Sequence, residues 1–142
     1  MDSILTTIKV LLGIPEQHEH FDIAIVSHIN TVFGTLTQLG VGPKAGFSIR
    51  DKTSKWLDFL SDMTEYEAVV SYIHLNVRLL FDPPASATIT DTITRKIAEL
   101  EWRLNVTAES DDTTNDTETD TGSGIVTPSY TVKIKDDVLI LS

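Results

Sequence analysis

The run Tyr66-Glu-Ala-Val-Val-Ser-Tyr-Ile-His-Leu-Asn-Val-Arg-Leu-Leu-Phe81, followed by Asp82-Pro83-Pro84, limits the possible folds more than any other part of the chain. At about 100° per residue it carries two apolar stripes. Tyr66, Val69, Val70, Ile73, Val77, Leu80 and Phe81 fall on one side, and Ala68, Tyr72, Leu75 and Leu79 on the opposite side. Glu67, Ser71, His74 and Arg78 form the one continuous polar stripe. A helix that is apolar on two sides must be covered on two sides. It is therefore either the central helix of a small bundle or a helix that meets another subunit. Pro83 and Pro84 end it, because neither can donate the next backbone hydrogen bond and Pro83 disfavours helical backbone at Asp82.

Helices surround this segment on the same pattern. Ile4, Leu5, Ile8, Leu11 and Leu12 share one face of a first short helix, about residues 4–12, with Asp2 or Ser3 as its cap and Gly13 as its stop. Ile25, Val26, Ile29, Val32, Phe33, Leu36 and Leu39 line a second helix, about 23–39, capped by Asp22 and ended by Gly40. A short helix is expected at 54–60, with Trp56, Leu57 and Leu60 inward. A last one is expected at 88–104, with Ile89, Ile93, Ile97, Leu100 and Leu104 on one stripe. Trp102 projects about 180° from that stripe, beside Ala98 and near Arg95. A large indole turned away from the core stripe meets either another subunit or a neighbouring helix of its own bundle. The second stripe of the central helix, Ala68, Tyr72, Leu75 and Leu79, has the same two possible coverings. These seven residues are the candidate subunit interface.

Composition changes after residue 106. Residues 107–124 carry Glu109, Asp111, Asp112, Asp116, Glu118 and Asp120 with no Lys or Arg, so they hold six of the chain's ten net negative charges. Such a stretch cannot bury enough apolar surface to offset its ordering entropy and reads as a flexible acidic linker. From 125 the pattern is β-rich. Tyr130, Val132 and Ile134 alternate with polar residues, Asp136-Asp137 makes a turn, and Val138 and Ile140 continue on the returning strand. A hairpin alone is barely stable in water, so residues 125–142 are expected to act as an arm that docks on its own domain, a neighbouring subunit or a different protein. The organisation is therefore all-α: a bundle of about five helices over 1–106, a linker over 107–124 and a β-hairpin arm over 125–142.

Chemistry is harder to find. With no Cys there is no thiol nucleophile, thiolate metal site or disulfide. His18-x-His20 beside Glu16 and Glu19 could face one ion from an extended loop, but no other ligand cluster has metal-site spacing, and solvated loop histidines explain the pattern better. A metal-dependent hydrolase would rest on these two histidines alone. Val41-Gly-Pro-Lys-Ala-Gly46 lacks phosphate-loop spacing and follows a helix rather than a strand. No cofactor, metal or catalytic set is expected. Lys and Arg number 11 against 21 Asp and Glu, with no basic stripe, which argues against wrapping nucleic acid by phosphate neutralisation. The start Met-Asp-Ser-Ile lacks a basic signal-peptide opening, and no apolar run reaches the ~20 residues of a membrane helix, so synthesis in the cytoplasm without membrane association is expected.

One specific signal remains. Leu12-Gly-Ile14, Asp22 with Ile29-Asn30, Leu36-x-Gln38-Leu39-Gly40-Val41-Gly42-Pro43 and Trp56-x-Asp58-Phe59-Leu60 occur in order. They are followed by Tyr72-Ile73-x-Leu75-x-Val77-Arg78-Leu79-Leu80-Phe81-Asp82-Pro83-Pro84 and Glu99-Leu100-Glu101-Trp102-Arg103-Leu104-Asn105. Over about residues 1–106 the chain resembles the head–tail connector (head-completion adaptor) proteins of long-tailed bacteriophages. The resemblance implies a small helical, non-enzymatic virion protein made in the host bacterial cytoplasm. It would form a ring with copies of itself, typically dodecameric, beneath the portal. That ring would extend the channel through which double-stranded DNA passes and receive the stopper or tail-completion protein. The linker and hairpin lie outside the resemblance. An alternative is a small phage-encoded interaction or regulatory domain that binds its partner through the terminal β arm.

Overall fold

The computed structural model describes residues 3–119, and Met1–Glu109 form one compact unit. Five helices appear in order: α1 (Ile4–Leu11), α2 (Asp22–Gln38), α3 (Trp56–Phe59), α4 (Tyr66–Phe81) and α5 (Ala87–Thr119). Among the described residues the sole extended pairing is an isolated bridge between Ser3 and Lys55, so the described chain is all-α. The expected hairpin arm, with Tyr130, Val132, Ile134, Val138 and Ile140, lies outside the described residues.

α4 occupies the centre, with the bounds its apolar pattern dictates. Val69, Val70, Ile73 and Val77 are buried against Ile25, Ile29, Val32, Phe33 and Leu36 of α2 and Ile4, Leu5 and Ile8 of α1. Phe21, at the start of α2, meets Phe81, at the end of α4, with ring centroids 5.3 Å apart. The two packed helices therefore run antiparallel. Each fully buried Ile, Leu or Phe here contributes about 1.5–3 kcal/mol relative to exposure.

The N-terminal segment is stitched to the rest by polar contacts. Ser3 caps α1, its hydroxyl accepting from the Thr6 N–H at 3.2 Å. The Ile4 N–H donates to the Ser54 carbonyl at 3.0 Å. Inside the core the Trp56 indole N–H donates to Thr7 Oγ1 at 3.0 Å, and that hydroxyl donates to the Ser3 carbonyl at 2.7 Å. An indole buried this deeply needs such a partner, because an orphaned N–H would cost about 1–3 kcal/mol. Lys9 is 2% exposed, and its Nζ reaches Asp22 at 2.7 Å and donates to the Glu16 carbonyl at 2.9 Å. This clamp ties the loop between α1 and α2 to the bundle. It also corrects the expected role of Asp22, which is the first residue of α2 and an ion-pair partner rather than its cap; the cap position is Phe21, without a side-chain bond.

The long loop after α2 is held from both sides. Asn30 Nδ2 donates to the Ile49 carbonyl at 2.9 Å, and Asn30 Oδ1 accepts the Ile49 N–H at 2.8 Å. The rings of Phe33, Phe47 and Phe59 form a triangle with centroids 4.7–5.3 Å apart. Gly42 passes over this triangle with φ +86, so close that a Cβ there would lie 2.3 Å from Phe59 Cε1.

Three inward expectations are corrected. Leu57 is 62% exposed, because a four-residue helix turns one side to the core and Trp56, Phe59 and Leu60 already fill it. Leu80 and Ile89 are about half exposed. They flank the α4–α5 connection, where neither helix has a further turn to cover the other. α5 also outruns its expected end at Leu104: residues 105–119 continue it as helix, including the first part of the expected linker.

Candidate assembly surface

α5 presents two opposite faces. Leu100 and Leu104 are buried in the common core, with Ile97 half-buried beside them. Two side chains fasten this face. The Tyr72 hydroxyl donates to the Glu101 carboxylate at 2.7 Å, and Asn105 Nδ2 donates to the Leu39 carbonyl at 3.3 Å. A Cβ on Gly40 would stand 3.1 Å from the Ala108 Cβ, so α5 passes close over the end of α2. Burial first, then the bond to Glu101 and its charge, raise the Tyr72 phenol far above its ordinary value.

The opposite face is open. Arg95, Ala98 and Trp102 are all exposed, Trp102 at 68%. They are three and four residues apart and so share one side of the helix. The alternative covering for Trp102, a neighbouring helix of its own bundle, is thus absent among the described residues. Of the acidic residues near this face, Glu99 pairs with Lys96 at 2.8 Å and Glu101 accepts from Tyr72, while Asp91, one turn before Arg95, is exposed.

The candidate residues on α4 sit differently. Tyr72 is 1% exposed and belongs to the protomer's own core. Ala68 and Leu75 are half-buried and pack on that core, and Leu79 is half-buried. Of the second stripe, then, the largest member is taken up inside the chain. Sequence periodicity could not show this, because its hydrogen-bond partner Glu101 lies far along the chain.

A second apolar surface was missed altogether. Ile23 is 88% exposed and Phe21 38%, both at the start of α2, and Leu80 is exposed at the end of α4. Phe21 links them through Phe81, and His18, His20 and His28 edge the same cluster, with His20 4.8 Å from Phe21 and His28 6.4 Å from Phe81. His18 and His20 have ring centroids 6.3 Å apart, and among the described residues no three His, Cys, Asp or Glu side chains converge as metal ligands. The available signal was Ile23 itself, an apolar residue on the polar side of the α2 stripe.

His74 is placed between α4 and α1, where it bonds to the Leu11 backbone. Burial, then the Arg78 charge, lower its pKa below the ordinary imidazole value, partly offset by the Leu11 bond. Nε2 of His74 and Nε of Arg78 have no hydrogen-bond partner in the protomer.

Comparison with known proteins agrees. Residues 4–111 match the profile of a family described as phage connector protein. No curated protein and no solved structure matches the chain. The family match spans well over half of the sequence, and the chain belongs to the phage connector family.

Proposed function

We propose that this phage connector protein, a structural virion component of the head–tail junction rather than an enzyme, works as a homo-oligomeric ring between the portal and the stopper or tail. The ring, dodecameric in this reading, extends the channel for double-stranded DNA and supplies the platform on which the tail is completed. The observation that carries the proposal is the open Arg95–Ala98–Trp102 face of α5, on a helix whose other face is fastened into the core. Exposed tryptophan beside arginine is the residue chemistry of protein contact centres. The acidic balance fits a conduit: like charge disfavours phosphate contacts, so DNA slides through rather than sticking. No helix among the described residues is long and apolar enough to cross a membrane.

Sedimentation tests this reading. Wild-type protein, in concentrated solution or on portal particles, should run far above the monomer. Trp102→Ala should weaken that association by a hot-spot amount, about 2 kcal/mol or roughly 30-fold, with a much smaller change in thermal midpoint. A protein that stays monomeric and does not bind portal would overturn the proposal.

A further inference from the structure

Two side chains of α4 carry polar atoms that the protomer buries and does not satisfy. Nε2 of His74 and Nε of Arg78 are shut off from solvent without a hydrogen-bond partner. The one other such atom among the described residues, Asp22 Oδ1, lies 2.7 Å from the Lys9 ammonium and is compensated by charge. Folded proteins leave few buried polar atoms unpaired, and these two belong to residues one helical turn apart. His74 is anchored from its other side. Its bond to the Leu11 backbone favours the charged ring, so an imidazole N–H donates to the carbonyl there. With Nε2 unpartnered, that N–H is the one on Nδ1. Arg78 has no such anchor. It is half-buried and forms no ion pair among the described residues; exposed Asp82, one turn further on, does not reach it. A cation partly withdrawn from water without a counter-charge costs stability.

The surroundings are those of a protein contact. Half-buried Leu75, three residues before Arg78, shares its side of α4. Val10 and Leu11, 48% and 45% exposed, end α1 where the Leu11 backbone holds His74. A ring of identical copies needs a further contact surface beside the outward face of α5, because head-to-tail contacts join two different patches. We infer that Arg78, backed by His74, receives a carboxylate of a neighbouring copy in the ring. The inference rests on the ring reading and names one contact within it. A guanidinium binds a carboxylate through two parallel N–H bonds, and the Nε–H now without a partner is suited to be one of them. An anion there also favours a protonated His74, whose Nε2 then becomes a second donor. The chain itself is the fitting source, since it carries 21 Asp and Glu against 11 Lys and Arg. A DNA phosphate fits less well: the rim is apolar, and the net charge of the chain repels a polyanion.

The test uses the full chain under conditions in which the wild type assembles. Arg78→Met keeps most of the apolar stem and drops the charge. It should weaken assembly by about tenfold or more. Its thermal midpoint should stay at or above the wild-type value, because the protomer loses a cation that it did not pair. Arg78→Lys keeps the charge and supplies a reactive amine. Assembled from a mixture of ordinary and isotope-labelled protein and treated with a carbodiimide, it should form amide links from position 78 of one copy to an Asp or Glu of another. Mass spectrometry of the mixed-label peptides then identifies the acid. Three results would each overturn the inference and leave the ring reading standing: assembly unchanged in Arg78→Met, a midpoint that falls together with assembly, or links to Asp82 of the same chain alone. Rings of Arg78→Met that form normally but no longer retain duplex DNA would assign the site to phosphate, which also overturns it. If wild-type protein assembles under no condition, the ring reading fails and this contact falls with it.

Discussion

Replacing Gly42 by Ala should be among the most damaging single-methyl changes in the molecule, and its size can be worked out from two terms. Gly42 has φ +86, where a residue with a Cβ pays about 1–2 kcal/mol. The added Cβ would lie 2.3, 2.7 and 3.0 Å from three atoms of the Phe59 ring, against ~3.5–4.0 Å for comfortable carbon contact. The ring must move by more than about 1 Å, yet Phe59 is buried against Phe33 and Phe47 and has nowhere empty to go. Overpacking of this kind costs about 1–3 kcal/mol, which brings the total to about 2–5 kcal/mol. Near the middle of that range the thermal midpoint falls by roughly 14–28 °C for a domain of this size. Gly13 is the control. It has φ +83 and nothing within 4 Å of the built Cβ, so Gly13→Ala should cost only the backbone term, about 1–2 kcal/mol. Thermal and urea unfolding of both variants, with Gly42→Ala/Phe59→Leu to relieve the clash, measure the difference directly. Equal losses at the two glycines, or no relief in the double variant, would refute the steric argument.

Further outcomes follow from the polar contacts. The lowered pKa of His74 means the unfolded chain takes up the proton first. Stability should fall as pH drops below about 6.5, by at most about 1.4 kcal/mol per unit, and level off once folded His74 protonates. His74→Gln should flatten that part of the urea-midpoint profile. Tyr72 is the opposite case: its raised pKa keeps the folded phenol neutral, so its stabilisation is complete below about pH 10 and declines above it as the unfolded phenol ionises. Tyr72→Phe should cost about 1–2 kcal/mol at neutral pH and remove the Tyr72 share of the alkaline decline, read by chemical denaturation at both pH values.

α4 was legible almost residue for residue, because its apolar stripes and the Pro83-Pro84 stop are local information. Ser3 as the cap of α1 and the Ile93, Ile97, Leu100 and Leu104 stripe of α5 were legible for the same reason. Contacts between distant segments were not. Lys9 gives no sign in sequence that it will be buried on Asp22, and Tyr72 reads as an outer-stripe residue until Glu101 is brought beside it. The glycines of the 41–46 turn could be dismissed as a phosphate loop, but the reason for Gly42 is the Phe59 ring seventeen positions later. Beyond Leu104, Thr, Asp, Asn and Ser carry neither propensity nor stripe, so the continuation of α5 had no signal to announce it. Trp102 was legible as an outward residue; the Phe21–Ile23 patch was not, since Phe21 sits in a loop where periodicity says nothing.

Electron microscopy of the head–tail neck, with assembled protein imaged beside it, tests the connector reading most directly. A closed ring of this chain around an open channel, seated between portal and tail, is the result expected. Particles whose neck lacks the protein, or a protein that neither forms rings nor binds portal, would contradict it.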